Sequence, residues 1–265
     1  MGLQLSYVCV SHVGRRRRTN QDNFICDGRF AGRDEKKPEV FYAGTAGLDR
    51  AALFGVFDGM GGGEYGEEAS LLAASRAARA PLEQQPRAAL ETICTQANED
   101  ICSFAAGRQL DTCGTTAAML LFARGQVTSC NLGDSRIFRI ADRQIRQISQ
   151  DHVMPAPFGR KPPLLQYLGI PPEEMHLCPA CGEWPCRAGD RYLICSDGLT
   201  DMLSLEEIGA AAREPLDQAA RMLLDQALDR GGRDNITMIL LDIGKTERGL
   251  WESAKRFLRR KRNVV

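Results

Sequence analysis

The 265-residue chain has no run of about 18 apolar residues, so no segment is expected to cross a membrane as a helix. Nothing ahead of its first strand reads as a secretory signal, and its ten cysteines lack the spacing of a disulfide framework. Several of them (Cys9, Cys130, Cys195) fall inside apparent strands, which reads as small buried hydrophobes in a reducing cytosol. There is no internal repeat and no interdomain linker. Net charge is missing too, because 34 Lys and Arg balance 34 Asp and Glu. That balance conceals an asymmetry. From Lys245 onward eight basic residues face two acidic ones, a local +6, and the rest carries 26 basic against 32 acidic residues, or −6. A body of that sign suits a protein that gathers carboxylates around cations and argues against a nucleic-acid binder.

What is present is an ordinary globular composition, 43% hydrophobic and 26% charged, in a chain long enough for a substantial core. Residues 5–11, 23–26, 40–43 and 53–57 read as strands, the last a short apolar run that stops at Asp58. Residues 64–80 are alanine-rich with helical spacing, Pro81 and Pro86 punctuate them, and a second helix carries Leu90, Ile93, Ala97, Ile101 and Phe104 on one face. The period then changes to strands over 115–122, 126–131, 136–140 and 144–148, joined by very short turns that permit only antiparallel neighbours. A doubly wound parallel sheet is excluded for this third of the chain. A buried strand over 192–195, helices over 204–212 (opened by a Ser204–Glu207 capping box) and 216–229, and a last strand over 236–243 complete the pattern. Strands beside strands and helices beside helices predict an α+β fold, a four-layer α-β-β-α sandwich of two antiparallel sheets flanked by helix pairs.

Four aspartates stand at the ends of apolar runs: Asp22, Asp58, Asp197 and Asp234. Carboxylates delivered from strand ends to one sheet edge, with glycines beside them, suit hard divalent cations such as magnesium or manganese. Two such ions can hold a phosphate and generate a hydroxide. Asp58, followed by Gly59, can offer one oxygen to each of two cations, while Gly59 turns its carbonyl toward one of them. Each aspartate has a plainer reading as well, Asp197 as a helix cap and Asp234 as a turn cap before the last strand.

The motifs Arg17–Asp22, Asp58-Gly59-Met60-Gly61-Gly62, Cys113-Gly114-Thr115-Thr116, Asn131-Leu132-Gly133-Asp134-Ser135-Arg136, Asp151-His152, Ser196-Asp197-Gly198 and Asp234-Asn235-Ile236-Thr237 follow one another in family order. Together they resemble the metal-dependent protein serine/threonine phosphatases of type 2C in their compact bacterial form, across nearly the whole chain. The resemblance implies the same sandwich and a catalytic domain over residues 1–244. It also implies two manganese or magnesium ions held by Asp58, the Gly59 carbonyl, Asp197, Asp234 and Asp22, with Asp134 on a weaker third. Arg17 matches the phosphate-binding arginine, with Arg15 as its helper on the same side of an extended segment. The reaction implied is hydrolysis of phosphoserine and phosphothreonine in proteins by an activated water, opposing a serine/threonine kinase, in a cytoplasmic monomer. The rival readings are a phosphatase of anti-sigma-factor antagonists and a pseudophosphatase that binds phosphoproteins without hydrolysis.

Some features depart from the family pattern. Met60 stands where some relatives carry histidine, and a thioether cannot donate a proton. Gln21 stands where many have glutamate. The flap between His152 and Leu164 is short and stiffened by Pro155, Pro157, Pro162 and Pro163. His176, Cys178, Cys181 and Cys186 could together ligate zinc, against a hairpin reading in which Cys181, Trp184 and Cys186 are apolar positions. Residues 245–265 form a basic amphipathic tail whose apolar side is expected to pack on the body, with an anionic membrane surface or acidic partner as the alternative.

Overall fold

Twelve strands and five helices account for the fold in the computed structural model, which describes residues 2–33, 38–60, 65–155 and 162–246. The first sheet has the order β3 (Glu39–Gly47), β1 (Leu3–His12), β12 (Ile236–Lys245), β11 (Arg191–Cys195), β8 (Arg136–Ala141), β9 (Gln144–Gln147). The second runs β10 (Ala180–Pro185), β7 (Gln126–Leu132), β6 (Ala117–Ala123), β4 (Ala52–Met60), β2 (Asp22–Cys26), with β5 (Gly114–Thr115) paired to the end of β4. Every pairing is antiparallel.

Both faces of the central strands are covered, which explains why they read as continuous apolar runs rather than as alternation. Leu5, Tyr7 and Cys9 of β1 point between the sheets with Phe54 and Val56 of β4, whereas Val8 and Val10 point the other way. The inter-sheet layer is zipped by aromatic contacts from Tyr7 to Phe54 (5.1 Å between centroids), Phe54 to Phe122 (6.0 Å) and Phe122 to Tyr192 (5.8 Å). Each such pair adds about 0.5–1.5 kcal/mol beyond the area it buries. On the second sheet lie α1 (Tyr65–Arg79) and α2 (Pro86–Gly107). Ala69, Ala73, Ala74 and Ala77 let α1 approach closely, and Arg76 forks onto Asp100 of α2 through two 2.8 Å bonds. On the first sheet lie α3 (Asp197–Thr200), α4 (Leu205–Ala211) and α5 (Leu216–Asp229), so this outer layer has a short third helix beyond the expected pair. The Ser204–Glu207 capping box is present at α4.

The structure differs from the sequence reading at two places, and it decides between the two readings of the cysteine segment. The strand expected over 115–122 breaks at Thr116, whose N–H bonds the Asp58 carbonyl instead of continuing a ladder (2.9 Å). Strands β7 and β8 do not form a hairpin, because the chain crosses from the second sheet to the first through Gly133, Asp134 and Ser135. The zinc arrangement is not formed. Cys181 packs on the helix-facing layer and Cys186 on the inter-sheet layer, opposite faces of β10 and its extension, so they cannot share an ion. Residues 61–64 after Met60, residues 156–161 of the expected flap and residues 247–265 of the expected tail lie outside the described residues. At the expected domain boundary β12 runs on to Lys245, and the Thr246 N–H bonds the Gly2 carbonyl at 3.0 Å. Lys245, assigned to the tail, is therefore the last residue of the sheet, and Thr246 is fastened just beyond it. No helix among the described residues is long and apolar enough to cross a membrane.

Candidate active site

Asp22 opens β2 and is the direct cross-strand partner of Asp58 in β4, so one edge of the second sheet carries two opposed carboxylates. Directly opposed like charges repel, and the pair persists where something else compensates. Asp22 is only 3% exposed. Its Oδ2 accepts a 2.8 Å hydrogen bond from Ser196 Oγ, the residue after β11 in the other sheet. That same hydroxyl accepts from the Thr237 N–H at 3.0 Å. Burial pushes the Asp22 carboxyl up to about 6; hydrogen bonds with Thr237 and Ser196 oppose the rise, and the negative charge of Asp234 adds to it.

From the first sheet come Asp197 and Asp234. Asp197 is the first residue of α3 and 5% exposed, while Ser196 holds the cap position with its side chain committed elsewhere. Asp197 is therefore not the helix cap. Asp234 does act locally, its Oδ1 accepting the Asn235 N–H at 2.8 Å, and its Oδ2 accepts from Arg17 Nη2 at 2.6 Å. Gly198 locks the two segments together: a Cβ there would fall 1.9 Å from the Asn235 carbonyl oxygen and 3.5 Å from Asp234 Cβ. Gly59 plays the same part on the other side. Its added Cβ would meet the Gly66 carbonyl at 2.0 Å, so only glycine lets the first turn of α1 sit on the strand end beside Asp58.

Asp58 is braced from behind. Its N–H donates to Thr116 Oγ1 (3.0 Å), and that hydroxyl is 2.6 Å from Ser135 Oγ. Thr116, read from sequence as the start of a core strand, thus links Asp58 to the crossover that carries Asp134. The crossover is also held at Gly133, whose N–H donates to His152 Nδ1 (3.3 Å) and whose carbonyl accepts the His152 N–H (2.9 Å). Asp134 sits partly buried between these two anchors.

The arginine run is resolved by a turn over residues 14–16, which breaks the alternation of an extended strand. Arg17 reaches Asp234. Arg15 goes the other way, with Nε on the Leu228 carbonyl (2.9 Å) and Nη2 on Asp229 (3.3 Å) at the end of α5. It is not placed to help Arg17. The loop carrying Arg17 is pinned by Asn235, a residue within a motif whose role the sequence alone does not assign. Its Oδ1 accepts the Gln21 N–H (2.8 Å), and its Nδ2 donates to the Val13 (2.9 Å) and Thr19 (3.0 Å) carbonyls. The signal that could have found it is a buried-type asparagine between a strand-end aspartate and a strand, where its amide must satisfy distant backbone.

Among the described residues, no three His, Cys, Asp or Glu side chains already close around one point as a metal cage. Asp22 instead stands opposite Asp58 and within reach of the Asp234 charge, and Asp22 and Asp234 are each already engaged by a hydrogen bond. The donor set still fits a hard divalent cation: it is all oxygen, it is acidic, and in Asp22 it holds a buried carboxyl for which a cation would supply the missing counter-charge.

The protein phosphatase 2C family profile matches residues 42–238. The serine/threonine protein phosphatase PstP of Mycobacterium tuberculosis is 30% identical over 249 residues, covering 81% of this chain and 45% of that protein. The chain thus spans about half the length of that curated relative. The serine/threonine phosphatase stp of Listeria monocytogenes is 30% identical over 261 residues, 89% of this chain and 95% of that one. Among solved structures, the catalytic domain of PstP in complex with two manganese ions superposes with a TM-score of 0.72 at 30% identity, over 92% of this chain and 100% of that one. With three quarters of its length in the family profile and the same two-sheet sandwich, this chain belongs to the protein phosphatase 2C family.

Proposed function

We propose that this protein hydrolyses phosphoserine and phosphothreonine in other proteins with the help of manganese or magnesium. The observation that carries the reading is the junction at which Asp22 and Asp58 of one sheet meet Ser196, Asp197 and Asp234 of the other, with Arg17 at the rim. The manganese-bound PstP domain and the two phosphatase relatives support it.

Asp58, the Gly59 carbonyl, Asp197, Asp234 and Asp22 would hold two ions, and Asp134 a weaker third. Divalent cations bound there supply Lewis acidity and lower the pKa of water into the neutral range. The rest of the work falls to this chain's own groups. Arg17, with about half its side chain exposed, offers a forked donor to two phosphate oxygens, which a lysine could not match. Asp22 is aimed by Ser196, so it orients water without wandering. Met60 has no proton to give, which leaves protonation of the departing hydroxyl to water or to an aspartate.

On this reading the substrates are phosphorylated proteins, the opposing enzyme is a serine/threonine kinase, and the protein works as a cytoplasmic monomer. Residues up to about 246 make the catalytic domain, and the basic segment beyond is an accessory tail. The test is turnover of p-nitrophenyl phosphate and of a phosphothreonyl peptide with manganese, with magnesium and with chelator. Metal-dependent release of phosphate from both supports the reading. Binding of the phosphopeptide without release under any metal would assign the chain to the pseudophosphatases.

A further inference from the structure

Away from the carboxylate edge, three sulfur atoms converge on the helix-covered face of the second sheet. Cys94 of α2 and Cys130 of β7 are buried with their Sγ atoms 3.7 Å apart. Cys181 of β10 is the direct cross-strand partner of Cys130, packs against the same apolar layer and is partly exposed.

The ladder fixes what kind of pair this is. Cys186 N–H bonds the Gly125 carbonyl at 2.9 Å, so the pair 125–186 is of the hydrogen-bonded type. Strict alternation makes 127–184, 129–182 and 131–180 hydrogen-bonded as well and puts Cys130–Cys181 in a non-hydrogen-bonded site. There the opposed Cα atoms stand about 4.5 Å apart and side chains come closest. That separation falls within the range of about 4.4–6.8 Å that disulfides span. Cys178, the exposed cysteine nearby, is engaged elsewhere, with its N–H on the Gln166 side chain and its Sγ toward the His176 carbonyl.

We propose that Cys130 and Cys181 are a peroxide-responsive dithiol, closed by oxidation into a cross-strand disulfide that fastens edge strand β10 to β7, with Cys94 as the thiol behind. Cys181, the accessible member, reacts first. Its thiolate attacks one oxygen of hydrogen peroxide, the O–O bond breaks, and the leaving oxygen takes a proton and departs as water. Cys181 is then a sulfenic acid. The Cys130 sulfur displaces its hydroxyl, which leaves as a second water with the Cys130 proton, and the S–S bond forms. One peroxide is reduced and two thiols are oxidised. The chemistry favours this order, because the hydrogen bond with Cys130 holds the Cys181 thiol below its ordinary value, against opposition from its burial and from Glu91, while sulfur contacts and burial push Cys130 well up. The site is at the far edge of the sheet from Asp22, so its oxidation can be read apart from the carboxylates.

The test uses the reduced, folded, full-length protein treated with a small excess of hydrogen peroxide, alkylated, digested and analysed by peptide mass. The expected result is the Cys130 peptide linked to the Cys181 peptide, with loss of two alkylatable thiols. The link should vanish in Cys181→Ser and Cys181→Ala and persist in Cys94→Ala. Oxidation confined to Cys178, a Cys178–Cys181 or Cys94–Cys130 link in its place, or a Cys130–Cys181 link that forms only in denaturant would overturn the proposal.

Discussion

Ser196 Oγ donates to Asp22 Oδ2 at 2.8 Å while accepting from Thr237 N–H at 3.0 Å, so a single hydroxyl joins the end of a strand in one sheet to the first residue of a strand in the other. Together with the Thr237 hydrogen bond, this contact ties the Asp22 carboxylate to the sheet that leads into Asp197 and Asp234. Replacing the hydroxyl removes a donor from a buried carboxyl and an acceptor from a buried N–H. Ser196→Ala should therefore cost about 1–3 kcal/mol of stability. It should also raise the manganese concentration needed for half-maximal turnover. A thermal melt and a metal titration check both, and unchanged metal dependence would mean that Ser196 serves the fold alone.

Arg17 and Arg15 are expected to separate cleanly. Arg17 is the member of the run directed at the carboxylates, and a charge-assisted phosphate contact is worth about 1.5–3 kcal/mol, so Arg17→Ala should raise KM by roughly 10–100-fold with a smaller effect on kcat. Arg15 caps the end of α5 at an exposed position, so Arg15→Ala should leave both constants within about twofold and cost under ~1 kcal/mol. Steady-state kinetics on p-nitrophenyl phosphate decide the matter. A larger defect in Arg15→Ala would reverse the assignment.

Asn235 holds the loop from three points, with hydrogen bonds across 222, 216 and 214 residues of sequence. Losing them should destabilise the protein by roughly 2–4 kcal/mol, summing partly unsatisfied backbone groups. Because the loop carries Arg17 and leads directly into Asp22, Asn235→Ala should weaken phosphate binding and metal dependence together. Competitive inhibition by inorganic phosphate measures the first, and an unchanged inhibition constant would sever the loop from the site.

Residues such as Ser196, Arg15 and Asn235 mark where sequence reading runs out. Asp58 stands out in the sequence because an apolar run stops there beside Gly59, and the capping box at Ser204 is legible because both partners lie within one turn. Asn235 and Ser196 are not, since their partners are far along the chain and only the closed fold brings them near. The crossover at Gly133, Asp134 and Ser135 escapes for a related reason. Periodicity identifies β7 and β8 as strands without saying which sheet each joins. The arginine run misleads because the alternation of an extended segment fails through residues 14–16, where the chain turns. Strand β10, half-exposed at a sheet edge, gives only the weak hint of apolar positions around Trp184.

The end of the fold gives a further expectation. Thr246 is still bonded to Gly2, and Lys245 pairs with Leu3. Truncation after Thr246 should leave small-substrate turnover within a few-fold and the melting temperature nearly unchanged. Truncation after Asp242 removes pairs at the edge of β1 and should lower the melting temperature by several degrees, at about 2–4 °C per kcal/mol for a domain approaching this size. Loss of activity with intact solubility in the longer of the two truncated chains would make residues 247–265 part of the catalytic domain.

The most direct test is phosphate release from a phosphothreonyl peptide as a function of manganese, for the wild-type protein and Asp58→Asn side by side. Asp58→Asn removes charge at the position opposite Asp22 and almost no volume, so its circular dichroism should match the wild type. Wild-type turnover should be abolished by chelator and restored by manganese, and the mutant should be slower by roughly 10³ or more, equivalent to about 4 kcal/mol at the transition state. Near wild-type turnover by Asp58→Asn at saturating manganese, or full wild-type turnover in chelator, would contradict the metal-dependent mechanism.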